Sequence, residues 1–392
     1  MPPIMPEKEK PAVMIVSDST VGASGGGAQI SMRILFQGLA DRFHMMLFSP
    51  GKSGLNEDHH IASEFTTFNL RRIGWKGFLR VSFLLLRAIR RNKPDIVHLQ
   101  MSSTTIMFHA LYRLGLIPKK TRVIITDRGI YGKASKLTTR SIDNLVNRAS
   151  AIVTTTEINR QNYAQSCLGY AKHPSKFRVI PNTAGFVFEQ ADGNGKTEVR
   201  KKLGFGEDTL ILGFCGRYSA EKNWPLAKEI AFFCTDRIPD SEVVMIFSAN
   251  RYEDRVRKAS EFIEGIRERI GSRLHAYIDI PNDDVMELYR IMDVFILTSS
   301  REPFGRTAIE AMAKDTVVIG TRVDGIPEVI GNDRYLYDTA EQALEIIEET
   351  HKNPVFAEES RRYFAERYRD NYTVSRNLEM HNRLYEDILK DL

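Results

Sequence analysis

Short apolar runs alternate with amphipathic stretches along most of the chain. Residues 12–17 (AVMIVS), 44–49, 95–100 (DIVHLQ), 122–126 (RVIIT) and 151–155 (AIVTT) read as strands. The first is followed by a glycine loop and an amphipathic helix over 29–41. Apolar runs set between helical patterns predict a parallel sheet covered on both faces. Ile180-Pro181-Asn182-Thr183 and the linker-like 189–196 (EQADGNGK) interrupt this pattern. It restarts with 210–215 (LILGFC), 242–248 (EVVMIFS), 274–278, 294–298 (VFILT) and 316–320 (TVVIG), again with helices between. A long polar helical tail from about residue 356 closes the chain. The prediction is α/β, two doubly wound units with ligands at the carboxyl ends of their strands.

A length of 392 residues agrees with two domains, and 42% hydrophobic with 27% charged residues excludes a disordered or fibrous chain. No run approaches the roughly 20 apolar residues of a membrane span. MPPIMPEKEKPA has no apolar core, so no secretory signal is expected. Cys167, Cys215 and Cys234 are scattered without metal-ligand spacing, in keeping with a reducing cytoplasm. The net charge of +5 is a small difference between 55 basic and 50 acidic residues, which gives no argument for nucleic acid. One stretch stands apart: residues 71–93 carry eight cations and no acid.

Three segments carry candidate chemistry. In 299–313 (SSREPFGRTAIEAMA), a strand leads through a Pro-Phe-Gly turn into a helix beginning near Arg306. The free N–H groups of such a start suit an anion, while Glu302 and Glu310 suit sugar hydroxyls. Glu302 as a capping residue and Glu310 as a solvated helix residue account for the pattern equally well. In 213–223 (GFCGRYSAEKN), Arg217 and Lys222 follow a strand end, where two fixed cations serve a diphosphate. A pair of surface cations is the alternative. In 21–29 (VGASGGGAQ), three consecutive glycines permit close approach to a ligand, or simply let a helix pack on the sheet.

Taken together, these segments resemble the retaining glycosyltransferases of the GT-B fold, glycosyltransferase family 4. The likeness is strongest over SSREPFGRTAIEAMAKDTVVIGTRVDGIPEVI, with its E-x7-E spacing. PDIVHLQ, RVIPNT, GRYSAEKN and DDVMELYRIMDVFILTSS add to it. The resemblance implies two Rossmann-like domains facing a cleft. Residues 1–185, with a C-terminal helix over about 374–392 crossing back, would form the acceptor domain, and 186–373 the donor domain. Glu302 would contact the donor sugar, with Phe304 and Gly305 offering backbone N–H groups to it. Arg306 and Thr307 would lie beside the diphosphate, Arg217 and Lys222 would neutralise it, and Gly26 and Gly27 would approach it. Glu310 would hold the ribose, and the base would stack near Tyr277 and Ile278. Asp127 stands nearest to a family histidine, so the first domain's catalytic part is open. Ile278, Asp324-Gly325 and Ser248-Ala249-Asn250 replace family glycines.

The implied reaction is front-face transfer from a nucleotide-diphosphate sugar, UDP preferred, to a glycan or lipid-linked hydroxyl. It would need neither metal nor cofactor and no nucleic-acid partner. A non-hydrolysing nucleotide-sugar 2-epimerase and a non-catalytic sugar-nucleotide-binding subunit are the competing classes. The 71–93 stretch has two readings that can hold together: an ordinary core helix packed on the first sheet, and a rim of Arg and Lys that, with Trp75 and Phe78, meets anionic lipid or a lipid-diphosphate acceptor, as on the inner face of the plasma membrane of a cytoplasmic protein.

Overall fold

The structure is a computed structural model that describes residues 10–21, 26–52, 54–55, 60–63, 65–190, 195–249 and 252–390. Residues 22–25 of the glycine loop, and Asn250, lie outside the described residues. The chain divides into two compact units, one formed by residues 1–180 and 377–392, the other by 181–376.

The first unit holds seven parallel strands: β1 (Ala12–Val16), β2 (His44–Pro50), β3 (His60–Ser63), β4 (Ile96–Leu99), β5 (Arg122–Asp127), β6 (Ala151–Thr154) and β7 (Phe177–Val179). Their order is β3-β2-β1-β4-β5-β6-β7, so the winding reverses between β1 and β4. The helices are α1 (Gly27–Gly38), α2 (Leu70–Asn92), α3 (Ser102–Arg113), α4 (Lys136–Leu145) and α5 (Glu157–Ser166). Both faces of β1 are buried, as its unbroken apolar run requires. Met14 and Val16 join Phe78, Val81 and Leu85 of α2 on one side, while Val13 and Ile15 share a core with Leu384, Tyr385 and Ile388 on the other.

The second unit begins with α6 (Lys196–Leu203) and continues through β8 (Leu210–Arg217), α7 (Trp224–Arg237), β9 (Ser241–Ser248), α8 (Glu253–Ile270), β10 (Leu274–Ile278), α9 (Asn282–Ile291), β11 (Val294–Leu297), α10 (Arg306–Met312), β12 (Val317–Thr321), α11 (Ile326–Ile330), β13 (Leu336–Tyr337), α12 (Ala340–Lys352) and α13 (Pro354–Asn371). Its parallel sheet runs β10-β9-β8-β11-β12-β13 and reverses between β8 and β11. The polar tail is two helices, because the pattern breaks at Tyr372-Thr373. The second of them, α14 (Val374–Lys390), belongs to the first unit from Asn377 onward. There its Tyr385 ring meets Phe43 edge-on at 5.4 Å, and Glu386 pairs with Arg42 at 3.7 Å.

The predicted α/β class and doubly wound sheets are present. The strands absent from the sequence reading are β3, β7 and β13, each an edge strand of two to four residues. An edge strand that short has too few alternating positions to declare a period. No helix among the described residues is long and apolar enough to cross a membrane.

Candidate functional site

In a doubly wound sheet, the loops that leave neighbouring strands at the reversal point turn to opposite faces and leave a crevice between them. In the second unit those strands are β8 and β11. β8 ends at Arg217 and the loop after it carries Lys222, while the loop after β11 carries Glu302 and leads into α10.

The two loops are stitched together. Ser300 N–H donates to the Glu221 carbonyl at 2.9 Å, and the Thr298 hydroxyl donates to the Lys222 carbonyl at 2.8 Å. Trp224 Nε1 donates to the Arg217 carbonyl at 3.1 Å, anchoring the other end of the β8 loop. The Lys222 stem lies against Gly216, where a Cβ would come within 3.2 Å of its Cε. Its ammonium bonds directly to the Glu302 carboxylate. Arg217 sits exposed at the tip of β8.

Glu302 is held at every polar atom. Its N–H donates to Asp324 Oδ2 at 3.0 Å, and its carbonyl accepts from Gly325 N–H at 2.9 Å. Its Oε1 accepts from Gly305 N–H at 3.1 Å, while its Oε2 takes Lys222. Gly305 adopts φ +90°, a conformation natural to glycine, which turns the chain into α10. Asp324 adopts φ +44°, and the neighbouring Gly325 lies so close to Pro303 that a Cβ would come within 2.3 Å of its carbonyl oxygen. Replacing a glycine by Asp324 is thus compatible with the turn, since Asp tolerates the left-handed region. Its carboxylate also supplies a tie that glycine could not.

One turn into α10, Glu310 is buried, unlike a solvated helix residue. Its Oε1 accepts from Arg306 Nε at 3.0 Å and its Oε2 from the Tyr289 hydroxyl at 3.2 Å. Arg306 also donates to the Ala184 carbonyl at 2.6 Å. Burial pushes the Glu310 carboxyl above the usual range, with Arg306 and Tyr289 opposing. Burial and the Glu310 charge push the Cys215 thiol up to about 12, which keeps it protonated and unreactive at neutral pH.

The structure therefore gathers Lys222, Glu302 and Gly305 on two adjoining loops, with Arg217 at the end of β8 leading into one and Arg306 and Glu310 on α10 following the other. Thr307 is half-buried at the start of α10. Phe304 turns into the core and meets Tyr372 edge-on at 5.9 Å. Tyr277 and Ile278 stand half-buried at the end of β10, the outer strand two places from β8. The remaining candidates belong to the first unit. Gly26 caps α1 and Gly27 begins it. Asp127, at the end of β5, accepts from the Tyr163 hydroxyl at 2.8 Å and Gly129 N–H at 3.0 Å. Sequence reasoning passed over Asp324 as a support and over Tyr289 and Ala184. In the sequence Asp324 stands out only as a departure from a family glycine, and Tyr289 reaches Glu310 across 21 residues that no local pattern links. Among the described residues no group of three or more His, Cys, Asp or Glu is placed to hold a metal ion.

Comparison with known proteins matches two family models in succession: "Glycosyltransferase Family 4" over residues 25–184 and "Glycosyl transferases group 1" over 195–371. The N-acetyl-alpha-D-glucosaminyl L-malate synthase of Bacillus anthracis is 38% identical over 28% of this chain and 30% of its own. The phosphatidylinositol N-acetylglucosaminyltransferase GPI3 subunit of Saccharomyces cerevisiae is 22% identical over 69% of this chain and 58% of its own. The chain thus spans well under two thirds of these relatives. Among solved structures, sucrose-phosphate synthase from Thermosynechococcus elongatus shares the fold with a TM-score of 0.79. It is 15% identical and covers 98% of this chain and 100% of its own. Anabaena HepE in complex with UDP and glucose aligns with a TM-score of 0.71 at 16% identity, covering 96% of this chain and 99% of its own.

Proposed function

Because the chain belongs to the group 1, family 4 glycosyltransferases and has their GT-B fold, we propose that it moves a sugar from a nucleotide-diphosphate sugar to a hydroxyl of a glycan or lipid-linked acceptor. The observation that carries this reading is the Lys222–Glu302 ion pair at the reversal point of the second sheet, with Arg217 exposed at the end of β8. Two opposite charges that satisfy each other can be re-partnered by a ligand that brings both an anion and hydroxyl groups. A nucleotide sugar brings both.

In this reading the diphosphate takes over Lys222 and draws in Arg217. Glu302, released from the ammonium but still fixed through its backbone, accepts from hydroxyls of the sugar. Glu310, clamped by Arg306 and Tyr289, faces the ribose. As the bond from the anomeric carbon to the diphosphate breaks, the two cations absorb the charge that develops on the leaving oxygen. The acceptor oxygen bonds to the anomeric carbon on the same face and passes its proton to the departing phosphate, so configuration is retained. In this reading the side chains of Arg217 and Lys222 carry the charge neutralisation. Asp127, already engaged by Tyr163 and Gly129, is given no part in the chemistry.

UDP is the proposed nucleotide, supported by HepE structures in complex with UDP and UDP-glucose. A lipid-linked acceptor is supported by the yeast relative, whose name specifies phosphatidylinositol. The test is a thermal-shift screen of UDP-, GDP- and ADP-sugars, followed by nucleotide release and the anomeric configuration of the product by NMR. The reading requires a UDP-sugar to raise the melting temperature and the product to keep the donor's configuration. Inversion would reject the front-face step, and the absence of a shift with all three donors would reject the site.

A further inference from the structure

We propose that the exposed face of α2 docks this protein onto an anionic lipid surface; the proposal goes beyond the donor-site reading and does not depend on it. The helix has two unlike sides. Phe78, Val81, Leu85, Leu86 and Ile89 face the sheet of the first unit and are buried in its core. On the outward side Trp75, Leu79 and Phe83 remain 69%, 51% and 63% exposed. Their spacing of four residues sets all three along one stripe. Nine large hydrophobic residues are comparably exposed among the described residues; three of them line this stripe and the rest are dispersed. Dispersed ones need no explanation, but an ordered apolar stripe on a basic helix does.

The charges say what covers it. Lys76 and Arg80 flank the apolar stripe, Arg87, Arg90 and Arg91 follow along the helix, and Arg72 precedes the bend at Gly74, all six exposed. No acidic residue occurs from Phe65 to Pro94. A second copy of the same chain would bring six like charges against these six and be repelled. An anionic bilayer presents the complementary charge together with an apolar layer, which Trp75, Leu79 and Phe83 can enter while the cations stay among the headgroups. The helix is also shaped for this. Gly74, at φ +62°, bends the chain just before Trp75, and the indole stacks on Phe78 at 5.3 Å between ring centroids. The apolar end is therefore braced and not free to fold back.

The chain contains two tryptophans, and Trp224 is buried in the second unit, so Trp75 is a built-in reporter. Titrating the full chain with vesicles of phosphatidylcholine mixed with phosphatidylglycerol should blue-shift its fluorescence and carry it into the vesicle pellet. Vesicles of phosphatidylcholine alone should do neither. Replacing Arg72, Lys76, Arg80 and Arg87 by Gln should weaken binding by about fivefold per cation removed. Leu79→Ser with Phe83→Ser should abolish the blue shift. All six positions are exposed, so the melting temperature should be unchanged and nucleotide release from a soluble donor should continue. Binding that ignores phosphatidylglycerol content, or that both sets of substitutions leave intact, would overturn the proposal. So would a dimer in solution that the Leu79→Ser, Phe83→Ser variant dissociates, because the stripe would then belong to a second copy.

Discussion

The polar groups at the carboxyl ends of β8 and β11 and those around His98 are both enclosed by protein, yet they are satisfied in opposite ways. Around His98 the partners are neutral and form a closed chain within the first unit. Nδ1 meets the Tyr385 hydroxyl of α14 at 2.7 Å, Nε2 meets the Thr126 hydroxyl at 2.7 Å, and Gln100 lies 3.0 Å from Nε2. Arg128 donates to the far side of Gln100 at 2.6 Å. Burial, with His381 and Arg128 close by, holds the His98 imidazole well below its ordinary pKa and therefore uncharged. Such a network ties the C-terminal helix to the sheet. At the β8–β11 crevice the partners are full charges, Lys222 with Glu302 and Arg306 with Glu310. The difference suggests what each is for: neutral closure fastens secondary structure, whereas facing charges store recognition that an incoming ligand can claim.

The sharpest way to break this contrast is to remove one charge at the crevice. Glu302→Gln and Lys222→Ala should each lower nucleotide release by about 10²–10³-fold, the usual loss for a charged transition-state contact. Circular dichroism should show a retained fold. Release within a few-fold of the parent in either variant would end the assignment of these residues.

Acid should attack the other region. His98 is depressed well below the ordinary 6.5, and His381 is lowered to about 4, chiefly by burial. The His381 contribution is whole above about 6.5 and is lost as the pH falls towards 4, because in that window only the unfolded chain takes up the proton, and His98, depressed by burial too, acts in the same direction. Each imidazole adds a slope of about 1.4 kcal/mol per pH unit. Urea unfolding at a series of pH values should reveal it, and His381→Gln should reduce it. A stability that stays flat over this window contradicts the neutral, buried assignment.

Between these in size stands a backbone test. Gly325→Ala places a methyl against the Pro303 carbonyl and should cost about 1–3 kcal/mol, the range for forced overpacking. It should also disturb the Glu302 loop, so activity should fall along with the melting temperature. Unchanged activity would mean that the Gly325–Glu302 contact does not hold the site. The smallest effect is expected at Asp127. Asp127→Asn should cost about 1 kcal/mol through weaker hydrogen bonds to Tyr163 and Gly129. Nucleotide release per folded molecule should stay within twofold, and a loss comparable to that of Glu302→Gln would return Asp127 to the catalytic group.

Much of this is legible in the sequence. The apolar runs located ten strands to within about two residues, because a strand buried on both faces declares itself by composition alone. The start of α10 near Arg306 was legible from Pro-Phe-Gly, and Glu302, Lys222 and Arg217 from their places after strand ends. Local order also exposed the acid-free run in α2.

The partners of those residues belong to the tertiary structure. Nothing local pairs Lys222 with Glu302 across 80 residues, Tyr289 with Glu310, or His98 with Tyr385 across 287. Chain path brings them together: the loops of Lys222 and Glu302 converge where the second sheet reverses between β8 and β11, α9 brings Tyr289 to α10, and α14 brings Tyr385 to β4. The same holds for which side of α2 stays uncovered, since the helical period sorts its residues into faces but only packing chooses the face that meets the sheet. Sequence determined the kinds of group available and their local geometry. Topology decided which charges and hydroxyls met, because those contacts depend on chain path and not on neighbouring letters.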